Sequence, residues 1–260
     1  VAVQLVGSVC ALLLAVCLAL SFTLLREGHF AACLKKSGYL DTVHAAVLDT
    51  CSQYAAAMGT TADPLANAIT PDVVYAGVMH RADSLWHGST NDETDPFGSL
   101  ITTYQNTVAP EPPTYDGYRI LQYNCQMEWQ SAMATPFSAA LSMVLQYRGI
   151  VAIAMYLSGL LLMGCIALQY LLADRWRMFC GGLLRMADGC LGAGVILALW
   201  LTFGSGYRSW TAAGDIGYTL FCQWFGAFAP AVAGCAAAVS AVPVLLVLWV
   251  CAQFRRAKSA

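Results

Sequence analysis

Four long runs of apolar residues stand out along this chain of 260 residues. Each run is long enough, at about 20 residues or more, to cross a hydrocarbon core of roughly 30 Å as a helix. Because a bilayer interior offers no water to the backbone, segments of this kind must be helical. The pattern predicts four transmembrane helices, at residues 1–25, 149–173, 178–203 and 218–251.

The segments between these helices differ greatly in length. Residues 26–148, a stretch of about 120, separate the first two helices, whereas the connections at 174–177 and 204–217 are short and residues 252–260 form a tail. The sequence therefore predicts an all-α membrane protein, in which a four-helix transmembrane bundle carries one large domain outside the membrane between helices one and two.

The long segment has the patterns of ordered structure. Residues 39–58 place apolar side chains on roughly one helical face, at the three- and four-residue spacing of an amphipathic helix. Residues 73–85 and 118–129 are the other two stretches that we expect to be ordered. The segment is therefore expected to pack as a structured outer domain rather than to act as a flexible tether.

Basic residues in the short connections predict the orientation, because cytoplasmic loops are enriched in lysine and arginine while long loops are largely exempt. The connection at 204–217 has only Arg208, which Asp215 balances. The connection at 174–177 and the tail hold five basic residues, namely Arg175, Arg177, Arg255, Arg256 and Lys258. Both termini are therefore predicted to be cytoplasmic, or on the equivalent inner side, and the long segment is predicted to be on the outer side.

The composition agrees with a membrane protein. Hydrophobic residues make up 58% of the chain and charged residues 11%, whereas a typical soluble domain has about 25% charged residues. The stretch from Arg26 to Arg148 holds six Lys/Arg and twelve Asp/Glu residues, a net charge of −6. A nucleic-acid binder would need a basic patch. We therefore expect the lipid bilayer and other membrane proteins, or a second copy, as partners, and no nucleic acid.

Small residues recur at helical spacing in three of the predicted spans. In lipid such stripes let helices approach closely, because packing rather than hydrophobicity drives their association. The stripes are Ala11, Ala15 and Ala19 in the first helix, Cys190, Gly194 and Ala198 in the third, and Ala229, Ala233, Ala237 and Ala241 in the fourth. They predict helix-packing faces in a close bundle. Pro230 and Pro243 are expected to bend the fourth helix or to remove backbone hydrogen bonds from it.

Two charged residues lie inside the third predicted span. Arg185 and Asp188 are three residues apart and therefore share a helix face. Charges at this depth are costly and usually pair or face a bundle interior, which marks them as functional candidates. The plainer interpretation is an inner-leaflet pair whose arginine extends to the headgroups. The two interpretations remain open at this point.

Three cysteines lie in the long segment: Cys33, Cys51 and Cys125. An oxidising compartment would allow them one disulfide. With three candidates the sequence cannot decide the pairing.

One cluster in the long segment has residue types that bind metals. His80, Asp83 and His87 would lie along one face of a helix, where two imidazoles and a carboxylate suit a transition metal. Ordinary surface residues would give the same pattern, and a third strong ligand is missing. The chain has no nucleophile elbow, P-loop or zinc-protease motif, so we expect no catalytic residues, no cofactor and no enzymatic activity.

The layout of the predicted spans resembles the claudin superfamily of four-span membrane proteins, to which calcium-channel gamma-type subunits also belong. The shared features are a short inner turn, a long first outer loop, a short second outer loop and cytoplasmic ends. This resemblance covers the whole chain at the level of topology and implies an architecture only.

The function that these patterns favour is association without catalysis. Close-packing stripes, a structured outer domain and few polar residues in the spans predict an accessory subunit, a scaffold or an adhesion-type component of a larger membrane assembly. The alternative is a channel or transporter subunit, with Arg185 and Asp188 near the pathway.

Overall fold

A computed structural model describes residues 1–88, 96–99, 103, 115–133, 137–204 and 214–259. About 89% of these residues are helical and none of them lies in a strand, which confirms the all-α class. In chain order the helices are α1 (Ala2–Phe22), α2 (Glu27–Lys36), α3 (Tyr39–Ala57), α4 (Asp63–Ala68), α5 (Pro71–His87), α6 (Tyr115–Met133), α7 (Phe137–Gln146), α8 (Arg148–Leu172), α9 (Trp176–Gly204), α10 (Gly214–Gly226) and α11 (Phe228–Ser259).

The chain divides into two compact units. The bundle unit comprises Val1–Phe30, Gln146–Trp210 and Trp224–Ala260. The intervening unit comprises Ala31–Leu145 and Thr211–Gln223. The bundle unit therefore combines the two ends of the chain with its third quarter, while the long segment between the first two spans supplies most of the intervening unit.

The candidate membrane spans lie mainly in the bundle unit, except for residues 140–145 and 217–223, which belong to the intervening unit. Four stretches of the described residues are long and apolar enough to span a membrane: Ala2–Phe22, Ala140–Leu172, Trp176–Gly204 and Gly217–Ala252. In the bundle, α1 packs against α8, α9 and α11, and α9 packs against α11. The four-span, integral, multi-pass architecture predicted from the apolar runs is thereby confirmed.

The fourth apolar run is two helices rather than one. Helix α10 ends at Gly226, a turn follows at Ala227, and α11 begins at Phe228. Pro230 occupies the first turn of α11, where its missing N–H costs nothing because the first N–H groups of a helix have no intrahelical partner. The backbone N–H of Ala231 then donates to the carbonyl of Ala227 over 3.3 Å. Pro243 lies inside the helix, and α11 continues past it.

The intervening unit is built around α3, which packs against α4, α5 and α6. Its buried residues recur every four positions and form one apolar face: Tyr39, Val43, Val47, Cys51 and Ala55. Of residues 39–58, expected to be helical, 39–57 thus lie in α3, and the stretches at 73–85 and 118–129 lie in α5 and α6. Burial of these apolar faces, at about 25 cal/mol per Å², is what holds the unit together.

Helices α5 and α6 approach closely at Gly77. A Cβ at this position would lie 2.6 Å from Cζ2 of Trp129 and 2.9 Å from Sδ of Met133. The Trp129 ring is almost fully buried and meets the ring of Phe97 edge-on, with centroids 6.2 Å apart. Glycine is therefore required at 77 by the volume of the tryptophan rather than by backbone conformation.

Local signals fix the ends of α5. Thr70 is the N-cap, and its side-chain oxygen accepts a long hydrogen bond of 3.4 Å from the N–H of Val73, as N-caps commonly do. Gly88 closes the helix with a φ of 67°, the left-handed conformation that glycine adopts without strain. Between α4 and α5, Nε2 of His44 lies 2.7 Å from the carbonyl oxygen of Ile69 and ties the connection to α3.

Candidate functional site

Helix α9 has an inner face that is packed against its neighbours in the bundle. The buried positions of this helix include Met186, Cys190, Gly194 and Ala198. Cys190 forms a small-residue cluster with Ala11 and Ala15 of α1 and Ala236 of α11. A Cβ at Gly194 would collide with the Cβ of Ala236, so the glycine sets how closely α9 and α11 can approach.

Two serine side chains reinforce this inner face. The hydroxyl of Ser8 on α1 donates to the carbonyl of Met186 over 3.2 Å, and also to that of Gln4 over 3.0 Å. The buried hydroxyl of Ser240 on α11 donates to the carbonyl of Ala187 over 3.0 Å. Hydrogen bonds of this kind between helices contribute about 0.6 kcal/mol on average in a membrane. Neither hydrogen bond was predicted from the sequence. A single serine within an apolar run is the signal that could have indicated each of them.

The opposite side of α9 is exposed and charged. Arg185 and Asp188 are both exposed, and the flanking residues Gly181 and Gly192 have no neighbouring atom within 4 Å of a Cβ built on them. At 100° per residue these four positions lie within about 60° of one another on the helix. We call them the α9 charged face. It points away from Met186, Cys190 and Gly194.

The α9 charged face lies deep in the span. At 1.5 Å per residue, Arg185 is about 14 Å and Asp188 about 18 Å from the start of the helix at Trp176. Helix α9 has 29 residues, which corresponds to about 44 Å. Among the side chains that the structure describes, neither Arg185 nor Asp188 is in an ion pair. Arg185 and Asp188 are therefore close in sequence, but the ion pair expected from their three-residue spacing is not formed.

Asp188 is the more demanding of the two charges. A long arginine side chain can extend its guanidinium towards the headgroups, but an aspartate side chain is too short to do so from this depth. A charged residue at the centre of a span costs about 2.5–3.5 kcal/mol on translocon-based scales. Among the described side chains, none forms an ion pair with Asp188 that would compensate that cost, so the face is energetically incomplete.

The predicted small-residue stripes are distributed differently in the three helices. Ala11, Ala15 and Ala19 are buried in α1, and Cys190, Gly194 and Ala198 are buried in α9. In α11, Ala229 is buried and Ala233 is half-buried, whereas Ala237 and Ala241 are exposed. Residues four apart are offset by about 40° on a helix, so a strict four-residue repeat drifts by about 120° over three steps. The buried face of α11 runs instead through Val232, Ala236 and Ser240.

This drift leaves a second surface of α11 without packing from the part of the chain that the structure describes. Gly234, Ala237, Ala238 and Ala241 are all exposed, and a Cβ built at Gly234 has no neighbour within 4 Å. Small residues at these spacings are typical of helix–helix interfaces in membranes. We call these four positions the α11 small face.

The bundle unit contains a partly open apolar cavity of about 200 Å³. Leu14 of α1, Ile166 of α8, Leu183 of α9 and Val239 of α11 are among its lining residues, and none of the lining residues is charged. Its nearest hydroxyl, that of Ser240, is already bonded to a backbone carbonyl. The cavity therefore has the chemistry of hydrocarbon and lacks the polar groups that an ion would need.

The three cysteines of the intervening unit are buried, and two of them meet. The Cys51 thiol on α3 donates a hydrogen bond to the sulfur of Cys125 on α6, which raises the pKa of Cys51 and lowers the pKa of Cys125. Burial raises the pKa of the Cys33 thiol. All eleven cysteines are free thiols, and no sulfur pair is at bonding distance. The structure thus brings together one of the three combinations that the sequence left open.

The histidine cluster on α5 is only partly assembled. Nδ1 of His87 lies 2.8 Å from Oδ1 of Asp83, and both side chains are about half exposed. The ligand atoms of His80, Asp83 and His87 do not all lie within 4.8 Å of one another, because His80 is one helical turn further back than the pair. A metal bound by these three side chains stays a prediction, and the exposed His87–Asp83 pair accounts for the contact that is present.

Aromatic side chains cluster where α8 turns into α9. The rings of Trp176 and Phe179 lie 5.0 Å apart, and Tyr170 meets Phe179 edge-on at 5.6 Å. Arg175 precedes α9 in this turn. Aromatic rings beside basic residues are typical of a membrane–water interface, so this end of the hairpin has the composition of an interface.

Comparisons with protein-family models, with curated proteins and with solved structures find no match for this chain.

Proposed function

We propose that this protein is a non-catalytic integral membrane protein that acts by association, as an accessory subunit, scaffold or adhesion-type component of a larger membrane assembly. The observation that carries this proposal is the α9 charged face. Arg185 and Asp188 are exposed on the bundle at a depth where lipid is a poor solvent for them. A partner helix that supplies opposite charges would remove this cost, and lipid alone would not.

The α11 small face supports the same proposal from a different helix. Exposed glycine and alanine residues offer little area to lipid tails but let a second backbone come close, so that van der Waals contacts and weak Cα–H···O contacts accumulate. The bundle unit already uses such residues where α1, α9 and α11 meet. An unused surface of the same type is what a subunit of a larger assembly would present.

The orientation belongs to this proposal. Arg175 and Arg177 in the short connection, with the basic residues of the tail, favour placing both termini on the inner side. The intervening unit would then face the outer side, as a domain available to partner domains. This layout keeps the resemblance to claudin-type proteins at the level of architecture.

We also propose that Cys51 and Cys125 are the pair that forms a disulfide when the intervening unit faces an oxidising compartment. Their thiols already share a hydrogen bond between α3 and α6, and disulfides persist in such compartments. The bond would make the intervening unit a more rigid domain by linking α3 to α6. It would not create a catalytic site.

Size measurement in a membrane-like environment tests the association. The chain has a mass of 27.8 kDa, so light scattering on protein extracted in mild detergent or nanodiscs distinguishes a monomer from an assembly. We expect an assembly. Replacing both charges of the face with leucine should release the monomer, whereas Gly164→Leu, an exposed position of α8 with open space around it, should not.

A lone monomer of the unaltered chain, without chemical cross-links to any neighbour in its native membrane, would contradict the proposal. The channel alternative predicts something different: the pure protein in liposomes would conduct, and Arg185→Ala or Asp188→Ala would abolish the flux. The exposed position of these two residues and the uncharged cavity of the bundle do not support a pathway through a single copy.

A further inference from the structure

We infer that the partner of the α9 charged face is a second copy of this chain, with Arg185 of each copy facing Asp188 of the other. This inference rests on the proposed function and names its partner. It follows from the charges themselves. The face carries one cation and one anion, neither of which is in an ion pair with another described side chain of the chain. A surface with equal and opposite charges is complementary to itself.

Membrane insertion fixes the geometry of such a pair. Two copies inserted with the same orientation are related by a twofold axis along the membrane normal, so their α9 helices run parallel and equivalent residues lie at the same depth. Arg185 and Asp188 differ in depth by three residues, or about 4.5 Å. An arginine side chain covers that distance, so two symmetric ion pairs form across the axis.

Gly181 and Gly192 make the approach feasible. One lies four residues before Arg185 and the other four residues after Asp188, and each has open space where a side chain would be. Glycines above and below the charges allow two helix backbones to come close, as small residues do in membrane dimers. The ion pairs would then be shielded from lipid by the helices that form them.

A different partner would need a more special sequence. A helix with a single charge would satisfy either Arg185 or Asp188 and would bury the other without compensation, which is strongly unfavourable. A partner would have to carry both charges at matching depth. A second copy meets this requirement without any further condition.

Charge exchange tests the inference. Two differently tagged forms of the full chain are co-expressed, extracted in mild detergent and recovered through one tag, and the other tag is quantified. Arg185→Asp alone or Asp188→Arg alone places like charges together and should lower the recovery by roughly tenfold or more. The double exchange, with Arg185→Asp and Asp188→Arg in the same chain, restores complementarity between copies and should restore the recovery.

A matched pair of bulky substitutions tests the same face sterically. Gly192→Leu adds a side chain on the α9 charged face and should reduce recovery of the second copy. Gly164→Leu adds the same side chain to an exposed, open position of α8 and should leave the recovery unchanged. Circular dichroism and a single peak in size-exclusion chromatography check that each variant is folded, and Asp188→Asn offers a milder change if a charge reversal fails to insert.

The outcomes separate this inference from the proposed function. Recovery that is lost in the single variants and regained in the double exchange supports the second copy. Suppose that the unaltered chain recovers no second copy but co-purifies with another protein, and that this contact is lost in a single variant and not regained in the double exchange. The inferred second copy is then wrong, and the proposed association stands. If the unaltered chain is a monomer without cross-linked neighbours in its own membrane, both are wrong.

Discussion

Oxidation of Cys51 and Cys125 would covalently join α3 and α6, which otherwise meet through packing and the hydrogen bond between these two thiols. The chemistry needs an external disulfide as oxidant. The Cys125 thiolate, favoured by the hydrogen bond from Cys51, attacks one sulfur of that disulfide and releases a thiolate. The Cys51 sulfur, on losing its proton, then attacks Cys125 and releases the second thiolate. The two protons of the cysteines end on the two released thiols, and the chain gains one S–S bond.

The expected size of the effect follows from the chain that the bond would close. Counting both ends, 75 residues run from Cys51 to Cys125. In the chain-entropy model a loop of this length stabilises the folded state by about 4.5 kcal/mol at 25 °C. This corresponds to a factor of roughly 2,000 in the unfolding equilibrium. The two thiols are already in contact, so the bond itself requires little rearrangement of the folded unit. Because both are completely buried, the unit must first open locally for the external disulfide to reach Cys125.

Mass spectrometry and hydrogen exchange measure the two parts of this prediction. Protein is isolated from its native membrane without reductant, free thiols are blocked by alkylation, and peptide mapping should find Cys51 linked to Cys125. The slowest amides of α3 and α6 should then exchange up to about a thousandfold more slowly in the oxidised than in the reduced protein, because they report opening of the unit. Cys33→Ser should leave both results unchanged, and Cys51→Ser should remove both.

Two results would refute this reasoning. Linkage of Cys33 to either other cysteine would show that the contact between α3 and α6 does not determine the pairing. Alkylation of Cys51 and Cys125 as free thiols in unreduced protein, once the chain is unfolded in the presence of the alkylating agent, would contradict both the cross-link and the placement of the intervening unit on an oxidising side.

Two further substitutions test the packing of each unit. Gly77→Ala should gain about 1 kcal/mol of helix propensity but lose about 1–3 kcal/mol by overpacking against Trp129, which gives a net loss of up to about 2 kcal/mol and a lower melting temperature. Gly159→Ala, in open space on α8, should show only the gain. A higher melting temperature for Gly77→Ala would refute the close contact of α5 and α6. Ser240→Ala should destabilise the bundle unit by about 0.6 kcal/mol through loss of its bond to Ala187, measured as unfolding in detergent; a stabilised variant would contradict that bond.

The structural features that depend on composition and on the length of apolar runs could be predicted from the sequence. Apolar runs of sufficient length can only be helices in a membrane, so the four spans followed directly. The buried face of α3 was also visible, because its apolar residues recur at helical spacing. The turn between α10 and α11 was harder to place, because Pro230 is compatible with a kink inside a helix as well as with the first turn of a new one.

Which side of each span is buried could not be predicted from the apolar runs in the same way. Arg185 and Asp188 stood out because charges are rare in spans, but their exposure depends on which side of α9 meets α1 and α11. The repeat of alanines in α11 suggested a single face, whereas the helical geometry rotates Ala237 and Ala241 away from the buried side. The choice among Cys33, Cys51 and Cys125 likewise required the packing of α3 against α6.

The central position of α1 has a consequence for synthesis. This first helix contacts α8, α9 and α11, yet about 125 residues separate the end of α1 from the start of α8. At translation rates of about 5–20 residues per second, α1 spends roughly 6–25 s in the membrane before its first partner helix emerges. Its contacts are therefore of high contact order. In a chain interrupted in this interval, Ala11, Ala15 and Ala19, which are buried in the folded bundle, are exposed to other membrane helices.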